Sequence, residues 1–201
     1  MRPHDLLRLR PGAKLSGVET PAWVAETISS APFVVVRRGE QCLGQIPVGV
    51  RGRTRAHRHA ATVHASDVAE IIAPEALARS AAWRKCLRRS LPAFAALDPV
   101  AAAAMELDVV WGPGGSVGFE LASGMPVVHE DSDLDVIMRP TSRHSREDLA
   151  RLAQTIGGLS VRVDIVLESA HGAVALREWL LSPQRVLIKT RDGPRLGAFH
   201  W

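Results

Sequence analysis

Two aspartates one residue apart, Asp133 and Asp135, open the apolar run LDVIM inside the stretch HEDSDLDVIM (His129–Met138). On a strand, alternation sends both side chains to one face with their Cα atoms roughly 6.5–7 Å apart. Two carboxylates at that spacing suit one hard cation held at ~2.1 Å, the way magnesium is usually held beside substrate phosphates. Leu134 between them faces the core and fixes the register, since a one-residue slip would bury both acids. Asp164 adds a third carboxylate in the otherwise apolar VRVDIVL. An unpaired ion there is costly, so it calls for a cation, a proton or hydrogen bonds. If its strand lies beside LDVIM, Asp164 joins the same site. Three converging acids suit two metals ~3.5–4 Å apart, which clamp attacking and leaving oxygens at phosphorus.

The phosphate side of such a site is offered by GPGGS (Gly112–Ser116). A strand running into a Gly-rich turn and then a helical turn points backbone N–H groups at an anion. Gly114 and Gly115 let the backbone approach, and Ser116 offers a hydroxyl. A dinucleotide-binding fingerprint fails at Val117, where its third glycine belongs, and no P-loop lysine follows. Glu130 and Asp131 read as turn residues, and Glu120 as solvated or bonded to backbone. The basic run RGRTRAHRH (Arg51–His59) is either a solvated loop or a phosphate grip, with Arg51, Arg55 and Arg58 as candidates. Arginines between His57, His59 and His64 oppose a metal there.

The elements that must position these groups are short. FVVVRRG and LGQIPVGVRG read as strands, and SDVAEII as a short helix ending before Pro74. Residues 74–96 read as helical, broken at Pro92. Leu107–Trp111 is a strand leading into the glycines, VGFELASG a helical turn closed by Gly124, and Leu134–Met138 the next strand. Ser145 caps an amphipathic helix to Gly158, with Glu147 and Asp148 at its positive end. Val161–Leu167 is a third strand, GAVALREWLLS a helix, and RVLIKT the last strand. The chain divides into a small α+β domain, 1–78, and a catalytic domain, 79–201, built on a small mixed sheet with helices. The fold class is α+β.

Bulk composition sets limits. With 46% apolar and 23% charged residues in 201, the chain suits a globular protein with a sizeable core. No apolar run reaches the ~18–20 residues of a membrane span, and the N-terminus has no secretory apolar block. Cys42 and Cys86, in no paired or ligand spacing, indicate a reducing, cytoplasmic setting. A net charge of +4 points to a polyanionic partner, yet few aromatics, no tyrosine and no recognised motif argue against nucleic acid.

The order Gly115-Ser116, Asp133-Leu134-Asp135, Asp164 resembles the polymerase-β-type nucleotidyltransferase superfamily. More narrowly, WGPGGSVGFELASGMPVVHEDSDLDVIMRP is similar to the malonate decarboxylase holo-acyl-carrier-protein synthases, a family of phosphoribosyl-dephospho-CoA transferases. HDLL, PAWV, VVVRR and VGVRGRTRAHR extend the likeness over nearly the whole chain. The resemblance implies a polymerase-β-type catalytic domain that takes 2'-(5''-triphosphoribosyl)-3'-dephospho-CoA as donor. It implies transfer of the phosphoribosyl-dephospho-CoA group to a serine of the apo acyl-carrier subunit of malonate decarboxylase, with release of pyrophosphate. Asp133 and Asp135 would hold Mg2+ (or Mn2+), Asp164 would complete the site or accept the hydroxyl proton, and the Gly-Ser turn would receive phosphates. A nucleotidyltransferase with another acceptor, or a non-catalytic nucleotide-binding module, are the alternatives.

Overall fold

The computed structural model describes all residues except 18, 40–42, 53, 55 and 56. It contains two six-stranded sheets. The first is formed by β1 (Leu6–Leu9), β2 (Leu15–Ser16), β3 (Phe33–Val36), β4 (Gln45–Arg51), β5 (Arg58–His64) and β6 (Val68–Ile72), with helix α1 (Ala22–Ser30) between β2 and β3. Its order is β2-β5-β4-β3-β1-β6, and every pairing is antiparallel. In β4 the even positions Ile46, Val48 and Val50 are buried and their neighbours are not, the period-2 signature of a half-covered sheet. Those residues, with Leu7, Val34, Val63 and Val24 of α1, form the core of this half.

One element here differs from the sequence expectation. SDVAEII does not form a helix: a single 3-10 turn (Ala65–Asp67) leads into β6, which pairs with β1 from Leu6↔Ile72 to Leu9↔Val68. Val68, Ile71 and Ile72 are β-branched, and the open edge of β1 supplies backbone partners that a local helix signal cannot outweigh.

The second half comprises α2 (Pro74–Ser80), α3 (Pro92–Ala95), α4 (Leu97–Glu106), β7 (Val110–Pro113), α5 (Gly115–Ser123), β8 (Leu134–Arg139), α6 (Arg146–Gly157), β9 (Val163–Ser169), β10 (Gly172–Ala175), α7 (Leu176–Leu181), β11 (Val186–Thr190) and β12 (Gly193–Gly197). The sheet runs β12-β11-β10-β9-β8-β7, antiparallel except for the parallel pair β8–β9. Helix α6 is the crossover between those two strands. Its start carries a full capping box: Ser145 Oγ accepts from the Asp148 N–H, and the Asp148 carboxylate accepts from the Ser145 N–H at 2.9 Å. Leu149, Leu152 and Ile156 then bury one face against the sheet's core of Leu134, Val136, Met138 and Leu167.

Three further expectations are corrected. The helix over 74–96 stops at Ser80, where Ala81 adopts φ +47, and Leu87 is fully exposed rather than on a continuous apolar face. The first residues of GAVALREWLLS form β10, because the turn after Ser169 folds them back onto β9 with Gly172 opposite Ser169. RVLIKT is not the last strand, since β12 pairs with it along its length. Helix α2, which follows β6, crosses β7 within the second half: a Cβ at Gly112 would overlap the carbonyl of Pro74. Phe33 of β3 also stands edge-on to Phe119 of α5, 6.3 Å between centroids. Among the described residues no helix is long and apolar enough to cross a membrane.

Candidate active site

The turn between β7 and α5 is held onto β8. The Gly114 N–H donates to the Asp135 carbonyl at 2.9 Å, and Gly115 takes the left-handed φ +54 that turns the chain into the helix. A Cβ at Gly115 would overlap Asp135 Oδ2, so glycine lets the carboxylate lie directly against the start of α5. Leu134, fully buried, anchors the register that aims Asp135 this way, and Asp133 lies just before the strand.

The parallel pairing of β8 with β9 sets Asp164 directly opposite Asp135. Burial pushes the Asp135 carboxyl above its ordinary range, and the Asp133 and Asp164 carboxylates push it further, against the opposing pull of Arg51 and His4. Thus Asp133, Asp164 and Arg51 all act electrostatically on Asp135. Asp164 is engaged by Arg162, whose Nε donates to Oδ1 at 3.0 Å. Among the described residues no donor is hydrogen-bonded to the carboxylate of Asp133 or Asp135, and no group of three His, Cys, Asp or Glu is arranged to hold a metal ion.

Beside the acids, His4, Arg51, Gly114 and Gly115 line a narrow cleft with Phe33 and Phe119 in its wall. Ser116 is buried in the first turn of α5 and does not line the cleft. Arg55 lies outside the described residues. Arg58 is exposed at the start of β5, and His57 is stacked on Trp23 at 5.0 Å. Glu130 and Asp131 are exposed. Glu120 is buried, takes Arg88 as an ion-pair partner and accepts the Val127 and Val128 N–H groups at 2.8 Å, so it shapes the loop that precedes the acids.

A second charged cluster escaped the sequence reading. Glu168, 2% exposed on β9, accepts from His4 Nε2 at 2.9 Å and from Arg38, with Arg139 at 4.0 Å. Arg139 also binds Glu75, as does Arg2 at 3.0 Å. His4 reaches this position with φ +74. The cluster ties the N-terminal segment and the β3 end to the second sheet. Its sequence signal was weak but real: Glu168 follows Asp164 by four residues and so shares its face of the strand.

Burial alone would raise the Glu168 carboxyl, but the hydrogen bonds from His4 and Arg38 outweigh it and hold it below the usual glutamate range. The stabilisation this gives is present above the unfolded glutamate value and is lost as pH falls through the lowered folded one. Glu168→Gln is expected to cost about 3 kcal/mol in urea unfolding at neutral pH, because it leaves buried guanidinium charge uncompensated. The deficit should shrink as the pH of the measurement falls into the acid range.

Comparison with known proteins adds to this geometry. The family described as phosphoribosyl-dephospho-CoA transferase MdcG, C-terminal domain, matches residues 71–198, and its N-terminal domain matches residues 2–74. The phosphoribosyl-dephospho-CoA transferase of Pseudomonas syringae pv. tomato is 41% identical over 99% of this chain and 92% of its own. That of Pseudomonas putida is 40% identical over 100% and 95%, and that of Azotobacter vinelandii 37% over 100% and 94%. No solved structure matches the chain. On both domains and along its full length, the chain belongs to the phosphoribosyl-dephospho-CoA transferase family.

Proposed function

We propose that the protein transfers the phosphoribosyl-dephospho-CoA group of 2'-(5''-triphosphoribosyl)-3'-dephospho-CoA to a serine of the apo acyl-carrier subunit of malonate decarboxylase, in the cytoplasm. The observation that carries this reading is the contact of Asp135 with the Gly114–Gly115 turn, with Asp164 across the ladder and Asp133 beside it. A carboxylate cluster and an anion-binding helix start, sharing one edge, are the two halves of a site for displacement at phosphorus. The domain division we propose places this chemistry in residues 79–201 and a supporting α+β domain in residues 1–78.

Asp133 and Asp135 suit a divalent cation by their chemistry, although among the described residues no three acids are gathered into a ready-made site. Asp133 and Asp135 lack hydrogen-bond donors among the described residues, and charge on Asp135 is disfavoured by its neighbours, a balance that a cation reverses. Mg2+ (or Mn2+) would be held by Asp133 and Asp135, with Asp164 as third acid and donor phosphates filling the remaining positions. When bound, it neutralises charge on the phosphates and steadies the leaving pyrophosphate.

The protein's own groups do the rest. The N–H groups at the start of α5, which has nine residues, face the departing phosphates. Arg51, in the cleft wall, adds a fixed positive charge, and Arg55 follows it in the same basic run. The serine hydroxyl attacks the innermost phosphorus in line; its new P–O bond forms as the bond to the pyrophosphate oxygen breaks. The hydroxyl proton passes to Asp164 once that carboxylate leaves Arg162. Positioning and charge neutralisation, rather than covalent catalysis, supply the acceleration.

The test is intact-protein mass spectrometry of the apo carrier after incubation with enzyme, the triphosphate donor and Mg2+. The expected result is a gain equal to one phosphoribosyl-dephospho-CoA group on a single serine, with stoichiometric pyrophosphate. No gain on the carrier, or a gain on another acceptor only, overturns the assignment.

A further inference from the structure

Apart from the cleft at Gly114–Gly115, a basin of about 900 Å³ lies between the two sheets. Arg2, Arg37, Arg38, Arg139, Arg191 and Arg195 line it. The carboxylates that face these six guanidinium groups are Glu168, Asp192 and, at the margin, Glu75. Cationic charge therefore remains in excess. Arg37, Arg191 and Arg195 are exposed, and none of them makes an ion pair among the described residues. Arg139 adds to this imbalance: its Nη2 is buried without a hydrogen-bond acceptor among the described residues. A buried guanidinium donor left unsatisfied is costly, so Arg139 adds to the wall positive charge that the neighbouring carboxylates do not fully take up. Among the described residues no Phe, Tyr or Trp lines the walls, so a ligand is held there by its charge rather than by stacked bases.

We propose that this basin binds the diphosphate bridge of the dephospho-CoA moiety, as an anion site separate from the one at which phosphorus is attacked. The inference rests on the donor assigned above. That donor carries two groups of phosphates: the triphosphate, which is broken, and the internal diphosphate, which is carried over intact. The Gly114–Gly115 turn with its acids accounts for the first only. The basin has the volume for a coenzyme fragment, and arginine forks match paired phosphate oxygens. It also adjoins the reacting site. His4 lines the cleft with Arg51 and Gly115 and is bonded through Nε2 to Glu168, which lines the basin. One donor spanning both sites would be fixed at two anionic points, which sets the innermost phosphorus in place before the acceptor arrives.

Dephospho-CoA itself is the probe, titrated calorimetrically into the full chain without metal, carrier or triphosphate. The variant is Arg37→Ala with Arg195→Ala, both exposed and outside the ion-paired cluster, with folding checked by thermal melting. Wild type is expected to bind dephospho-CoA with an affinity that falls as salt rises, and the double variant at least tenfold more weakly. Pantetheine, which lacks the diphosphate, is expected not to compete. No binding by wild type, equal binding by the folded double variant, or competition by pantetheine overturns the proposal. Equal dephospho-CoA binding with a raised KM for the carrier alone would make the basin a dock for an acidic protein and also overturn it. Arginine-dependent dephospho-CoA binding in an enzyme that transfers nothing to the carrier would support the basin while removing the proposed reaction, so the two failures are distinguishable.

Discussion

Asp135→Asn is expected to lower the rate of carrier modification by about 10³-fold or more while raising the melting temperature of the metal-free protein at neutral pH. The loss follows from removing a charge that, in the proposed mechanism, holds a cation against transferring phosphate; such stabilisation is worth several kcal/mol, and each ~1.4 kcal/mol is tenfold in rate. The gain in stability follows from the environment. Burial and two neighbouring carboxylates raise the folded carboxyl above its unfolded value, so above that raised value folding must place an unfavourable charge at this position. Below the unfolded value both states are protonated and the penalty is gone. The stabilising effect of asparagine should therefore be full at neutral pH and vanish as pH falls through the raised value toward the ordinary one. Adding Mg2+ should raise the melting temperature of wild type and leave that of the variant unmoved. A variant that keeps wild-type transfer, or a metal-free variant less stable than wild type at neutral pH, would sink the role assigned to this carboxylate.

Asp135 also shows how far the sequence could be read. The spacing of Asp133 and Asp135, the buried Leu134 between them and the lone Asp164 were legible because strands alternate with period two, and the parallel pairing of β8 with β9 set Asp164 opposite Asp135. Ser145 with Asp148 was legible because capping is local. What could not be read was non-local. SDVAEII carries its own helix signals, and only the free edge of β1, some sixty residues earlier, makes it a strand. The Glu168 cluster draws on Arg2, His4, Arg38 and Arg139, whose proximity depends on how two sheets meet rather than on any local spacing. Ser116 is a different case: the motif fixes its place after the glycines, but only packing reveals that it is buried.

Gly115→Ala is expected to lower transfer by about 10²-fold and to destabilise the fold, whereas Gly114→Ala, one residue away, should do little to stability. The backbone explains half of the contrast. Gly115 has φ +54, where an L-residue with a Cβ is strained by roughly 1–2 kcal/mol, while Gly114 has an extended φ of −114 that any residue adopts. Space explains the other half. A Cβ at Gly114 meets Ile137 side-chain carbons at 3.5 Å, ordinary contact, but at Gly115 it would lie only 1.8 Å from Asp135 Oδ2. The carboxylate would have to leave the helix start, and the Gly114 N–H bond to the Asp135 carbonyl would be disturbed with it. Together these place the expected cost for Gly115→Ala at about 2–3 kcal/mol in denaturant unfolding. Activity should fall further than stability alone would explain, since displacing one carboxylate by about 1 Å can cost 10²-fold in rate. The decisive measurement pairs the two variants at a temperature where both stay folded. If Gly115→Ala there transfers as well as Gly114→Ala, then the contact between Asp135 and the start of α5 does not serve catalysis.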